Sequence, residues 1–203
     1  MAEATQTEKA PRIETKEDEQ RKFVLPSGVN HWLVITTMGC PPGVVKIYDS
    51  MVHKLPFQTK EQICALLMTK EPQIEVLHID VQQQRNTNDC GLFALAFATA
   101  LCSGQEPRHL SFEAGAMREH LLKCLDMEDT EPFPCVPVLK KKRKHKQDII
   151  EVFCQCRTQE EGRMAACFIC GEWYHEDCVA LPQELWTLPD LNGLVLAVCN
   201  ILF

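Results

Sequence analysis

A cysteine at the start of an apolar helix occupies a position that suits catalysis. In residues 82–101, QQQRNTNDCGLFALAFATAL, Cys90 lies between Asp89 and Gly91, directly before the apolar run. The peptide dipole at a helix N-terminus favours the thiolate, which is the nucleophilic form of cysteine. Gln84, six residues upstream, carries an amide that can donate to a developing oxyanion. Cys90 is therefore either a nucleophile or a small apolar residue that opens a core helix.

A base and a group to orient it are predicted on a β-hairpin upstream. Segments 31–37 (HWLVITT) and 44–48 (VVKIY) are rich in β-branched and aromatic residues, and they flank the turn sequence MGCPPG. His31 opens the first strand and Asp49 ends the second, so the carboxylate can reach the imidazole across the pair. An imidazole held by a carboxylate is what thiol activation requires. Taken singly, His31 suits a packed strand and Asp49 a turn, so the prediction depends on their combination.

The order of these residues resembles that of a known protease family. The matching pieces are HW at 31–32, YDS at 48–50 and QQRNTNDCG at 83–91. Together they resemble the ubiquitin-like-modifier proteases, the sentrin-specific (SUMO) or Ulp-type cysteine peptidases. The resemblance covers residues 23–130. It implies an α+β fold, papain-like and adenain-like, with the catalytic His and Asp on strands and the Cys at a helix N-terminus.

The resemblance also implies a reaction and a role for each residue. Members of this family hydrolyse the C-terminal or isopeptide bond of a ubiquitin-like modifier, by thiolate attack on the carbonyl of the glycine that ends the modifier tail. A narrow channel admits only a Gly-Gly-like tail. Because that family places a substantial segment before its histidine and only 30 residues come before this one, we expect an N-terminally shortened domain. The implied roles are Cys90 as nucleophile, His31 as base, Asp49 as the orienting group, Gln84 as oxyanion donor and Trp32 as a substrate-channel residue.

Closely spaced cysteines and a histidine near the C-terminus predict a metal site. They form the pairs Cys154-x-Cys156, Cys167-x2-Cys170 and His175-x2-Cys178. Thiolates and imidazole in such pairs are the ligands that tetrahedral zinc prefers. Disulfides are a poor explanation, because the chain carries no secretory signal and its twelve cysteines therefore point to a reducing compartment.

The phrase M-x2-C-x2-C-x2-W-Y-H-x2-C, residues 164–178, resembles the PHD finger, a cross-braced module of two zinc ions. The resemblance implies that the second zinc needs a final Cys-x2-Cys pair. Cys199 is the only later cysteine, so we expect a C-terminally incomplete finger and a weaker second site. The implied ligands are Cys154, Cys156, His175 and Cys178 for the first zinc, and Cys167, Cys170 and Cys199 for the second.

The same resemblance suggests a binding site for a histone tail. Fingers that read methyl-lysine line a cage with aromatic residues and sometimes methionine, since a cation is attracted to an aromatic face. The matching positions are Phe153, Met164 and Trp173. The alternative is that these side chains pack a module too small for a large core. Binding to an unmodified tail, or to none, also stays open.

Composition limits the classes of partner and the location. The chain has 203 residues with 28 acidic against 21 basic side chains, and its net charge of -7 argues against direct nucleic-acid binding. The N-terminal segment lacks the apolar stretch of a signal peptide, and the apolar runs near 91–101 and 194–203 are too short to span a membrane. We therefore expect a nuclear or cytoplasmic protein. The basic run KKKRKHK, 140–146, favours the nucleus.

The elements that must position the site follow from periodicity. Residues 59–68 predict an amphipathic helix, 74–81 a strand, and 111–125 a helix with Ser111 as a plausible cap. The expected organisation is a disordered leader, 1–22; the protease-like domain, 23–130; a proline-rich and basic linker, 131–149; and the truncated PHD-type finger, 150–203.

Two hypotheses follow from these patterns. In the first, the chain is a cysteine-type peptidase specific for a ubiquitin-like modifier, and the finger brings it to chromatin. In the second, it is a catalytically silent, mobile-element-derived zinc-binding protein that recognises histone tails or a modifier. The complete set of Cys, His, Asp and Gln favours the first hypothesis. The short N-terminal segment and the incomplete finger favour the second.

Overall fold

The architecture is mixed α+β, in agreement with the predicted fold class. The computed structural model describes residues 22–26, 30–51, 54–139, 146–167, 169–186 and 195–196. The predicted leader, apart from its last residue, and Cys199 lie outside these ranges. The elements in chain order are β1 (Lys22–Pro26), β2 (Trp32–Thr36), β3 (Val44–Tyr48), α1 (Phe57–Leu67), β4 (Gln73–Ile79), α2 (Cys90–Cys102), β5 (Leu110–Phe112), α3 (Ala114–Met127), β6 (Cys135–Pro137), β7 (Lys146–Glu151), β8 (Met164–Cys167), β9 (Trp173–His175), α4 (Gln183–Trp186) and β10 (Val195–Leu196).

The first four strands and β7 form a five-stranded sheet in the order β1-β2-β3-β4-β7. The predicted hairpin is confirmed, since β2 and β3 pair antiparallel with Val34 opposite Tyr48. β3 and β4 are parallel, so the connection between them must cross over the sheet, and α1 makes that crossing. β4 then pairs antiparallel with β7.

Both faces of this sheet are covered by helices. Alternation along β2 sends Leu33 and Ile35 into the core that contains Ile63 of α1. Val34, between them in sequence, enters the core that contains Phe97 of α2. Since successive strand residues point to opposite faces, α1 lies on one face and α2 on the other. Met117 of α3 belongs to the same core as α2.

The helix predicted over 111–125 begins later than expected. Residues 110–112 form β5, which pairs antiparallel with β6. α3 starts at Ala114, and its cap is Glu113, whose carboxylate accepts from the backbone amides of Gly115 and Ala116. These amide hydrogen bonds, that of Ala116 first, lower the pKa of Glu113. Ser111 was wrong as a cap because the long-range pairing of β5 prevails over the local preference of serine.

The segment 131–149 differs from the expected linker. It contains β6 and most of β7, and β7 forms an edge strand of the main sheet. Ile150, at the end of β7, is buried and stands opposite Ile74 of β4. An edge strand accepts polar and charged residues on its open side, so the composition of this segment does not distinguish it from a linker.

The Cys/His-rich segment forms a small module that is docked on the sheet domain. Its β8 and β9 pair antiparallel. Arg157 donates through Nε to the carbonyl of Thr69 at 3.0 Å and through Nη2 to that of Glu71. Gln159 donates to the carbonyl of Phe57 at 3.3 Å. These contacts join the module to both ends of α1. Over the described ranges, every helix is too short or too polar to cross a membrane.

Candidate active site and Cys/His cluster

The hairpin brings the predicted base and its carboxylate together. Nε2 of His31 donates to Oδ1 of Asp49 at 2.7 Å, and the two side chains are only 8% and 15% exposed. The backbone amide of Met51 donates to the same Oδ1 at 2.8 Å, which holds the carboxylate in place. Because Nε2 is engaged by Asp49, any proton exchange between this ring and a thiol must use Nδ1.

Cys90 is the first residue of α2, as predicted. It is 5% exposed, and the helix begins with the bond from the amide of Phe93 to the carbonyl of Asp89 at 2.9 Å. The Cys90 thiol donates to the carbonyl of Asn30, with 3.7 Å between the heavy atoms. Asn30 directly precedes His31. The fold thus brings the thiol, across 60 residues of sequence, to the residue that precedes His31, just before β2 begins.

Trp32 lies against the first turn of α2. A Cβ placed on Gly91 would be 3.6 Å from Cδ1 of Trp32, so the indole covers the residue next to the thiol. The side chain is nonetheless 43% exposed. Trp32 therefore lies beside Gly91 and is open to solvent, and its role as a substrate-channel residue stays a prediction.

The Gln84 side chain is held in the loop that precedes Cys90. Its Oε1 accepts from the hydroxyl of Ser50 at 2.6 Å, and its Nε2 donates to the carbonyl of Asn86 at 2.6 Å. The backbone amide of Gln84 also donates to the carbonyl of Ser50 at 2.9 Å. Ser50 follows Asp49, so these bonds fasten the loop to the end of the hairpin. One hydrogen of the Gln84 amide is used within the loop, and the group carries two.

An ion pair between a buried carboxylate next to Cys90 and a half-exposed arginine was missed by sequence reasoning. Asp89 is 4% exposed, and its Oδ1 contacts Nη2 of Arg118 on α3. Its Oδ2 accepts from Nδ2 of Asn86 at 2.7 Å. The available signal was the acid in the DCG motif itself: a carboxylate at the start of a core helix needs a cation or donors. The sequence could not say which cation, because Arg118 is 29 residues away.

Two other thiols of the sheet domain have raised pKa values. Burial raises the pKa of Cys64 to about 11, and burial also raises the pKa of Cys40. Both thiols are therefore protonated at neutral pH. A protonated thiol suits a packing role and not a nucleophilic one.

The first predicted ligand set is assembled. One ligand atom from each of its four residues lies within 4.8 Å of the others. Tetrahedral zinc with thiolates at ~2.3 Å places its sulfurs about 3.8 Å apart, so the spacing fits such an ion. Nε2 of His175 bonds the carbonyl of Gln159 at 3.0 Å, while Nδ1 lies 3.3 Å from Sγ of Cys156. That arrangement presents Nδ1 to the cluster, as a metal-binding histidine does. The four residues are Cys154, Cys156, His175 and Cys178.

The thiols of this cluster do not ionise alike. Burial opposes ionisation of Cys156, but hydrogen bonds from Thr158 and the charge of His175 outweigh it and lower its pKa to about 7. Burial, followed by the neighbouring thiols of Cys156 and Cys154, raises the pKa of Cys178. Several thiolates cannot share so small a volume without a cation, which is the electrostatic situation that a metal ion relieves.

Two of the three ligands predicted for the second zinc lie within the described residues, so the second set stays a prediction. Cys167 is buried and Cys170 exposed. The amide of Ile169 donates to Sγ of Cys167 at 3.4 Å, and Sγ of Cys170 lies 3.6 Å from the hydroxyl of Tyr174. Cys199, the third predicted ligand, falls outside the described part of the chain.

The candidate cage residues are divided between two places. Met164 stands opposite His175, and Trp173 opposite Ala166, in the β8–β9 pair, so Met164 and Trp173 are diagonal neighbours on one face. Phe153 instead lines a cavity of about 520 Å³ together with residues of α1 and β7, and it packs against the module's core.

Comparison with known proteins identifies the sheet domain. Residues 27–130 match the Ulp1 protease family, C-terminal catalytic domain. Protein ECM5 of Saccharomyces cerevisiae is 38% identical over 82 residues, which are 40% of this chain and 5% of ECM5. Protein mlo2 of Schizosaccharomyces pombe is 24% identical over 98 residues, which are 46% of this chain and 28% of mlo2.

The chain thus spans a small part of both relatives, and no solved structure matches it. The family match contains His31, Asp49, Gln84 and Cys90, while the Cys/His cluster lies outside it. Over half of its length, and on the part that holds the candidate active site, this chain belongs to the Ulp1 protease family of cysteine peptidases.

Proposed function

We propose that the chain hydrolyses the bond after the C-terminal glycine of a ubiquitin-like modifier, with Cys90 as nucleophile. The observation that carries this proposal is the buried His31–Asp49 pair at 2.7 Å, since the Cys90 thiol contacts the carbonyl of Asn30, the residue directly before His31. The family supports a ubiquitin-like-modifier conjugate as the class of substrate. The half-exposed Trp32 beside the thiol suits a channel that excludes side chains larger than those of glycine.

The residues divide the reaction into two steps. The thiol proton passes to Nδ1 of His31, and the Cys90 sulfur attacks the glycine carbonyl. The tetrahedral oxyanion accepts hydrogen bonds from the second hydrogen of the Gln84 amide and from the backbone amide of Cys90. The C–N bond then breaks, and the leaving amine takes the proton from His31.

The acyl-enzyme that results is a thioester between Cys90 and the modifier's terminal glycine. His31 next removes a proton from water, and the water oxygen attacks the thioester carbonyl. Collapse of the second tetrahedral intermediate breaks the C–S bond, and the Cys90 thiolate leaves. Asp49 stabilises the imidazolium that forms in both steps.

Hydrolysis of SUMO carrying aminomethylcoumarin at its C-terminal glycine tests the proposal. We expect the full chain to release the fluorophore and Cys90→Ala and His31→Ala to abolish release. Cys102→Ala is the control, because this exposed thiol lies at the other end of α2. Two results together would show that the site is a catalytically silent relic. The chain would cleave neither this probe nor the same derivatives of other ubiquitin-like modifiers, and His31→Ala would leave the alkylation rate of Cys90 unchanged.

We further propose that the Cys/His module is a zinc-binding, PHD-type finger. Zinc held by Cys154, Cys156, His175 and Cys178 would cross-link the loop after β7 to β9 and the turn that follows it, and so supply folding energy. Elemental analysis of the purified chain should find a zinc that resists chelator, and Cys178→Ala should lose it while Cys102→Ala retains it. Two equally resistant zinc ions would contradict the prediction of an incomplete second site.

Chromatin is the proposed location of this activity. The basic run 140–146 supports nuclear import, and the diagonal placement of Met164 and Trp173 on one face of the β8–β9 pair supports recognition of a histone tail. Titration of fluorescent histone H3 tail peptides, unmodified and trimethylated, tests that role. A binding constant that Trp173→Ala leaves unchanged would contradict it.

A further inference from the structure

A continuous set of hydrogen bonds joins α3 to the loop that precedes α2. Nη2 of Arg118 contacts Oδ1 of Asp89. The other oxygen of this carboxylate accepts from Nδ2 of Asn86 at 2.7 Å. Oδ1 of Asn86 in turn accepts from the backbone amide of Asp89 at 3.1 Å, and its carbonyl accepts from Nε2 of Gln84 at 2.6 Å. The position of the predicted oxyanion donor is therefore linked to the position of Arg118.

The charge of the Asp89 carboxylate can influence ionisation of the neighbouring Cys90 thiol. Asp89 directly precedes Cys90, and its side chain is 6% exposed, so solvent screens its charge poorly. A negative charge beside a thiol opposes formation of the thiolate. Arg118 supplies the compensating positive charge. His31 and Asp49 form a pair of their own.

We propose that Arg118 is a positioning residue of the active site: by holding Asp89 it fixes the loop that carries Gln84 and cancels the negative charge beside Cys90. This inference rests on the proposed peptidase function. Arg118 contributes little to the core itself, because its side chain is 53% exposed, whereas its neighbour Met117 is fully buried.

Four variants separate positioning from charge and from stability. Arg118→Gln removes the cation, and glutamine is too short to replace the contact. Arg118→Lys keeps the charge. Asp89→Asn combined with Arg118→Gln removes both charges, so it leaves no buried carboxylate without a cation. Lys123→Gln is the matched control, since it removes a positive charge from an exposed position on the same helix.

Two readouts are needed, and the second requires no substrate. The first is kcat and KM for SUMO–aminomethylcoumarin. The second is the rate of iodoacetamide alkylation of Cys90 from pH 5 to 10, resolved from the other thiols by peptide mass mapping. Thermal unfolding, followed by circular dichroism, checks that each variant is folded.

We expect Arg118→Gln to lower kcat about tenfold or more, part of what loss of an oxyanion donor does, with KM within about twofold. Its alkylation midpoint should move up by roughly one pH unit, the usual effect of one nearby charge. Arg118→Lys should restore the midpoint, and Lys123→Gln should behave as wild type. The double variant should have a normal midpoint but a reduced kcat, because α3 no longer holds the side chain at position 89.

An Arg118→Gln protein with wild-type kcat and an unmoved midpoint overturns the inference, while cleavage by the wild type leaves the proposed function standing. If the wild type does not cleave the probe, the proposed function fails for that substrate, and the alkylation midpoint alone decides on Arg118. Should Arg118→Gln not fold, the double variant decides: a low kcat with a normal midpoint supports positioning, and full activity refutes it.

Discussion

Replacement of Asp49 by asparagine is the most direct test of how this site would work. The Asp49 carboxylate is 15% exposed and accepts from His31 at 2.7 Å. Asparagine has the same shape and can still accept from the amide of Met51, so the loop should hold. What the change removes is the charge that stabilises an imidazolium at His31.

The size of the effect follows from the geometry. With ring and carboxylate charges centred about 4 Å apart and an effective dielectric of about 20, their attraction is about 4 kcal/mol. At about 1.4 kcal/mol for each factor of ten, that energy corresponds to a factor of about 10³. Because asparagine keeps one hydrogen bond to the ring, we expect kcat/KM for SUMO–aminomethylcoumarin to fall by a factor of about 10² to 10³.

The matched control is Asp148→Asn. Asp148 accepts from Nε2 of His78 at 2.8 Å, in a similar half-buried His–carboxylate pair between β4 and β7 that lacks a thiol. Asp148→Asn should leave kcat/KM within about twofold of wild type, and both variants should remain folded on thermal melting. A kcat/KM for Asp49→Asn within threefold of wild type would refute the electrostatic role of Asp49.

Three further predictions test the fold and the module. Because burial raises the pKa of Cys64 to about 11, iodoacetamide should leave this thiol unlabelled at pH 8 and label it in the folded protein only as the pH approaches 11; labelling at pH 8 without unfolding would contradict its burial. Arg157→Ala, which removes two bonds to the carbonyls of Thr69 and Glu71, should lower the free energy of unfolding by about 1–3 kcal/mol, measured by urea titration. Phe97→Ala, which empties a fully buried site between α2 and β5, should lower it by about 3–5 kcal/mol; a change below 1 kcal/mol would contradict the packing.

Local patterns in the sequence were sufficient for much of the candidate site. The hairpin follows from β-branched residues on either side of a glycine- and proline-containing turn, and its register brings Asp49 to His31. Cys90 begins α2 because an apolar run starts there. The six candidate metal ligands follow from short spacings within 154–178, and the resemblance to the PHD finger groups four of them as the first cluster. These features depend on residues that are close in sequence or that share one period.

Local patterns failed where a distant partner decided the conformation. Residues 110–112 became a strand because β6 pairs with them, and 146–151 became a strand because β4 offered an open edge. The resemblance to the PHD finger grouped Phe153 with Met164 and Trp173, and the fold places Phe153 beside residues of α1 and β7. No periodic pattern of apolar residues within these segments indicates any of these outcomes.

The sequence by itself determined which residues carry thiol, imidazole and carboxylate chemistry and on which elements they lie. The tertiary structure decided what surrounds those groups: the Arg118 cation on Asp89, the bonds that hold Gln84, and the docking of the Cys/His module on α1. The physical reason is that strands and helices are specified by short-range periodicity. The buried Asp89 carboxylate meets the Arg118 cation, 29 residues away, only when α3 packs beside the start of α2.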